Sequence, residues 1–82
     1  MYILGDIGNT DTKIFLVSKK NKILKRINFI SKKISNNQLK ILFKKNKIQI
    51  NKIEKILFCS VVPNTFKIIK NYFSKITKVK CN

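Results

Sequence analysis

Histidine and tryptophan are absent from these 82 residues, while cysteine and glycine occur twice each and proline once. With no histidine, and with Cys59 and Cys81 too far apart to form a Cys-x-x-Cys pair, the chain lacks the ligand set of a zinc or haem site. Cys59, inside an apolar run, is then expected to be a small buried hydrophobe. Proline and glycine are too sparse to mark a linker or a low-complexity boundary, so one domain at most is expected. Long hydrophobic runs are missing too. The stretch Ile56 to Val62, broken by Ser60, is far short of the roughly 20 residues of a membrane helix. Asp6 interrupts the first apolar stretch before a signal-peptide core has formed, which makes the cytoplasm the expected compartment and excludes a membrane partner at this level.

Acidic side chains are as scarce: three Asp plus Glu stand against nineteen Lys plus Arg, a formal charge of +16. Small soluble domains usually carry a net charge of about 2 to 8, and self-repulsion at this level opposes a compact state. A chain this short is also expected to bury only about 60% of its unfolded surface. Hydrophobic residues at 44% and aromatics at 10% are nonetheless too many for a disordered basic tail. Every cation except Arg26 is lysine, and isoleucine and asparagine are the other abundant residues. All three are encoded by A- and T-rich codons, so genome composition accounts for much of the charge without a partner. A small nucleic-acid-binding module is the alternative, but it would favour arginine for bidentate contacts, and the lysines here are spread along the chain in pairs such as Lys19 and Lys20. Weak, salt-sensitive polyanion binding without sequence preference is what the charge implies.

The hydrophobic pattern predicts six elements. Tyr2 to Ile7 reads as a strand that stops at the turn residues Gly8, Asn9, Thr10 and Asp11. Thr12 to Ser18 resumes as a largely buried strand, and Ile23 to Ile30, with Lys25 and Arg26 inside it, as an exposed edge strand. From Ser35 the period changes: Leu39, Leu42 and Phe43 recur at helical spacing, in a helix whose like-charged lysines make it dependent on docking. Ile53 to Val62 is almost continuously apolar, which predicts a strand covered on both faces. Pro63 suits a first helical turn, and Phe66, Ile69, Phe73 and Ile76 continue an amphipathic helix to about Lys75. Ile76 to Val79 offers the start of a further strand. The order β-β-β-α-β-α implies an α/β fold with a mixed sheet, left incomplete at its C-terminal side.

Two of the three acids, Asp6 and Asp11, fall within Asp6-Ile7-Gly8-Asn9-Thr10-Asp11-Thr12-Lys13. A carboxylate at the end of a buried strand can hold a hydrated Mg²⁺, a hard cation that prefers oxygen. Gly8 permits close backbone approach, Asn9, Thr10 and Thr12 bring amide and hydroxyl groups, and turn N–H groups can form an anion nest. Lys13 would set a positive charge on a phosphate. Residue types alone leave an ordinary hairpin turn equally open, since any turn uses Gly, Asn, Thr and Asp.

The order of those residues resembles the first phosphate motif of the type III pantothenate kinases, relatives of the actin-like ATPases, sugar kinases and heat-shock ATPases. Phe58-Cys59-Ser60-Val61-Val62-Pro63 is similar to that family's strand-to-helix junction, and no Walker-type glycine-rich run competes with this reading. The resemblance covers nearly the whole chain and implies that residues 1–82 form the N-terminal part of a ribonuclease-H-like ATP-binding domain, without the second domain. It implies Asp6 as the orienting residue for Mg²⁺, acting through water, and Asp6, Ile7, Gly8, Asn9, Thr10, Asp11, Thr12 and Lys13 as the ATP-phosphate-binding residues, with Gly8 to Lys13 as the cradle and Asn9, Thr10 and Lys13 in direct contact. The implied reaction is ATP-dependent phosphorylation of pantothenate, the first step of coenzyme A biosynthesis, in a homodimer that needs a monovalent cation, K⁺ or NH₄⁺. The family's Gly-x-Asp-Arg element, its catalytic Asp and its monovalent-cation site have no counterpart up to Asn82. No catalytic residue is therefore assigned within these residues, and a truncated product, or a piece completed by another chain, is the expectation. Glu54 is expected at the surface. Gly5 replaces the aliphatic residue usual before the motif Asp, which is expected to loosen the first strand.

Overall fold

The computed structural model describes all 82 residues. Strands β1 (Tyr2–Ile7), β2 (Asp11–Val17), β3 (Ile23–Ile30) and β4 (Lys55–Ser60) form one sheet in the order β3-β2-β1-β4. β1 pairs antiparallel with β2 and parallel with β4, so the sheet is mixed as the element order implies. Two helices, α1 (Asn36–Lys45) and α2 (Pro63–Ile76), join the strands, with short 3₁₀ turns at Ser31–Lys33 and Ile50–Lys52. The hydrophobic pattern foreshadows neither turn.

Alternation along each strand sets the layers. Ile3, Ile7, Ile14, Leu16, Ile27 and Ile56 point to one face and are buried there with Leu39 and Phe43 of α1 and Ile69, Tyr72 and Phe73 of α2. Phe43 contacts both Tyr72 and Phe73 with ring centroids 5.5 Å apart, in the tilted and edge-on arrangements that aromatic quadrupoles favour. The docking that the lysine-rich α1 requires is supplied here. Ser35 caps it, its hydroxyl accepting the Gln38 N–H at 3.1 Å.

The opposite face is where expectation fails. Leu4 and Leu57 remain 38% exposed, and Cys59 is exposed rather than buried. The continuous apolar run of β4 predicted cover on both faces, but both helices pack on the same side. The parallel register that sets Cys59 beside Asp6 turns its thiol to the uncovered face. The further strand also begins later than Ile76, which still belongs to α2. Cys81 forms the bridge instead, parallel to Ile56 on the outer edge of β4, with the Asn82 N–H donating to the Ile56 carbonyl at 3.1 Å. Cys81 is the buried cysteine.

Gly5 does not loosen β1. It stands directly opposite Phe58 in the parallel pair, and a β-carbon at position 5 would overlap the Phe58 ring. That ring lies over the glycine and meets Phe66 and Phe73 at centroid distances of 6.3 and 6.1 Å. The missing aliphatic side chain of β1 is thus replaced across the sheet by an aromatic one from β4.

Candidate phosphate-binding site

The motif occupies the β1–β2 hairpin. Asp6 is the penultimate residue of β1 and pairs with Lys13 of β2; both are exposed, on the face the helices leave uncovered. Asp6 has no ion-pair partner, since both salt bridges of the molecule are made by Glu54. Glu54 lies at the surface as expected: Lys19 donates to it at 2.9 Å, and this hydrogen bond holds its carboxyl below the ordinary range. An exposed pair of this kind contributes little to stability, and it leaves Asp6 and Asp11 as the acids of the site.

Gly8, Asn9 and Thr10 connect the two strands. The Gly8 N–H donates to the Asp11 carbonyl at 2.9 Å, and a β-carbon at Gly8 would lie 3.1 Å from that same oxygen, so the tightness of the turn favours glycine. The side chains of Asn9 and Thr10 are exposed and Asp11 is half-buried. Outside the two strands, neither the Asn9 nor the Thr10 N–H has a backbone acceptor. Two adjacent free amides in a turn are what an anion-binding nest requires.

Two motif residues take roles different from those expected. Ile7 is 1% exposed and Thr12 fully buried. Ile7 anchors the end of β1 in the core, and its carbonyl accepts the Val61 N–H at 3.1 Å, tying the hairpin to the β4–α2 junction. The Thr12 hydroxyl bonds to the Ser31 hydroxyl at 2.8 Å inside the fold, so it is not a free group for a ligand. Ser31, which the motif does not include, also donates from Oγ to the Gly8 carbonyl at 2.8 Å and from its N–H to the Thr10 carbonyl at 3.0 Å. No local pattern in the sequence signals it, because its partners lie 19 and 23 residues away.

Beside the hairpin lies an open cleft of about 530 Å³, lined by Asn9 and Thr10, by Ile30, Ser31 and Lys32, and by Val62 and Thr65. The first turn of α2 borders it. Val62 gives that helix no side-chain cap and Pro63 stands in its first turn, so the end carrying the positive pole of the helix dipole borders the same cleft as Lys32. Ser60 organises the approach, its hydroxyl accepting the Val62 N–H at 3.0 Å. Hairpin, Lys32 and helix end together make the surroundings suited to negative charge.

The fit to a divalent cation follows from the donor set. No group of three or more His, Cys, Asp or Glu side chains is gathered anywhere in the molecule, so there is no all-protein cage. The exposed Asp6 carboxylate, on the uncovered face beside Lys13 and outside the lining of the cleft, is a donor compatible with Mg²⁺, which keeps several waters and takes only one or two carboxylates.

A mixed sheet of order 3-2-1-4 carrying this hairpin places the molecule among α/β domains of the actin-like ATPase fold. The chain belongs to the type III pantothenate kinase family, whose model matches residues 2–82. A curated relative, the type III pantothenate kinase of Pelagibacter ubique (strain HTCC1062), is 46% identical over all 82 residues. The chain spans 33% of that relative's length.

Proposed function

We propose that these residues carry the ATP phosphate-binding part of a pantothenate kinase, acting in the first step of coenzyme A biosynthesis. The observation that carries the reading is the β1–β2 hairpin. Its Asn9 and Thr10 amides are free of backbone partners, and Asp6 and Lys13 stand exposed at its base. Asp6 orients Mg²⁺ through water, while the backbone of Gly8 to Asp11 and the side chains of Asn9, Thr10 and Lys13 hold the phosphates. Ile7 and Thr12 serve the site from below, by fixing the hairpin to the core. Phosphoryl transfer depends chiefly on positioning and charge stabilisation, and a phosphate loop supplies part of each. The catalytic Asp that the resemblance implies has no counterpart among Asp6, Asp11 and Glu54, so these 82 residues by themselves are expected to bind nucleotide without turning over pantothenate. A homodimer or a complementing chain, a K⁺ or NH₄⁺ site outside these residues, and the cytoplasm as the working compartment complete the reading.

The test titrates ATP at moderate salt into the native chain and Asp6→Asn, with and without Mg²⁺. Loss of the carboxylate is expected to abolish the Mg²⁺-dependent gain in affinity. Equal affinities in all four titrations would mean that the positive charge of the whole surface binds the phosphates and the hairpin does not.

A further inference from the structure

The Ser31 hydroxyl has one proton, and the Gly8 carbonyl, 2.8 Å away, can only accept it. The 2.8 Å contact between Ser31 and Thr12 must therefore run the other way, with Thr12 Oγ1 donating to Ser31 Oγ. A directed chain results, Thr12 to Ser31 to Gly8, in which Thr12 is fully buried and Ser31 only 2% exposed. The Ser31 N–H adds a bond to the Thr10 carbonyl at 3.0 Å. Ser31 thus holds two peptide groups of the hairpin by their oxygens.

Both peptides are trans, so each C=O and the N–H that follows it point to opposite sides. With the Gly8 carbonyl held inward on Ser31, the Asn9 N–H is turned outward. With the Thr10 carbonyl held on the Ser31 N–H, the Asp11 N–H points across the hairpin towards Gly8, whose own N–H donates to the Asp11 carbonyl, so the turn is fixed from both strands. A free loop of this length would sample both orientations of each peptide, and only one presents donors to an anion.

We propose that Ser31 is a positioning residue for the phosphate site: it touches no ligand, but by capturing the Gly8 and Thr10 carbonyls it fixes the turn and aims the Asn9 amide at the phosphates. This rests on the phosphate-binding reading of the hairpin. It goes beyond that reading in placing the control of the loop on a residue outside the motif.

The test uses the full 82-residue chain. Ser31→Ala removes the hydroxyl without changing charge, so binding through bulk positive charge is unaffected. It is expected to weaken MgATP binding about tenfold, while Ser31→Thr, which keeps the hydroxyl, stays within about twofold of native. Ile69→Val, a core change remote from the hairpin, is the stability control: it lowers the melting temperature and leaves MgATP affinity as it was. Hydrogen exchange supplies an independent readout, since the Gly8 amide is protected by its bond to the Asp11 carbonyl. In Ser31→Ala that amide is expected to exchange faster while amides in the centre of β1 do not. Where Ser31→Ala does not fold, Thr12→Val removes one link of the same chain and is expected to weaken MgATP binding about threefold. Native MgATP affinity in a folded Ser31→Ala chain, or native exchange at Gly8, overturns the proposal. If the native chain binds no MgATP, the functional reading fails, and the exchange rate at Gly8 alone decides whether Ser31 positions the hairpin.

Discussion

Cys59 and Cys81 are chemically alike in sequence and opposite in setting. Cys59 is exposed on the uncovered face of the sheet, whereas Cys81 is 5% exposed beside β4. Burial pushes the Cys81 thiol up from 9.0 to about 11, partly opposed by the Lys70 ammonium. A thiol kept neutral in the fold and free to ionise in the unfolded chain contributes stability below pH 9.0 that is lost as pH rises towards about 11. Thiol alkylation at pH 8 followed by mass spectrometry is therefore expected to label Cys59 in the folded chain and Cys81 only after denaturant is added. Equal labelling of both in the absence of denaturant would mean that the bridge between Cys81 and Ile56 does not hold in solution. Thr12 teaches a related lesson about reading residues singly. Its hydroxyl suggests a ligand contact, yet it lies in phase with Ile14 and Leu16, and that period already points it to the covered face.

At the scale of elements, β1 and β4 are joined by a substitution across the sheet. Gly5 vacates space that the Phe58 ring fills, so the two positions should not tolerate change independently. Gly5→Val is expected to cost about 1–3 kcal/mol by overpacking. Combined with Phe58→Ala it should cost less than the sum of the two single changes, with a coupling of about 0.5–3 kcal/mol in urea denaturation. Simple additivity would show that the ring is not held over the glycine. The strands and helices themselves were legible, because each carries its own period: β1 and β3 span the residues expected, and α2 ends one residue beyond Lys75. What was not legible is relational. The apolar run of β4 shows that the strand is hydrophobic but not that both helices choose one face, and Gly5 reads as a weakness until its neighbour across the sheet is known. Ser31 follows the same logic, since a serine after an edge strand has no signature until the fold brings Gly8, Thr10 and Thr12 to it.

For the whole molecule, a net charge of +16 is the feature that most easily misleads. Only 18 of 82 residues are buried, so a small core sits within a strongly cationic shell, which is expected to attract ATP, nucleic acid and other polyanions alike, more strongly as salt is lowered. Affinity for ATP alone therefore does not distinguish a phosphate loop from a lysine surface; location does. The measurement that separates them most directly follows backbone amide chemical shifts during titration with MgATP at physiological salt. The hairpin account predicts saturable shifts concentrated at Asn9, Thr10, Asp11 and Lys13, lost when Mg²⁺ is withheld. Shifts spread over the lysine-bearing surfaces without saturation, and unmoved amides in the hairpin, would contradict it.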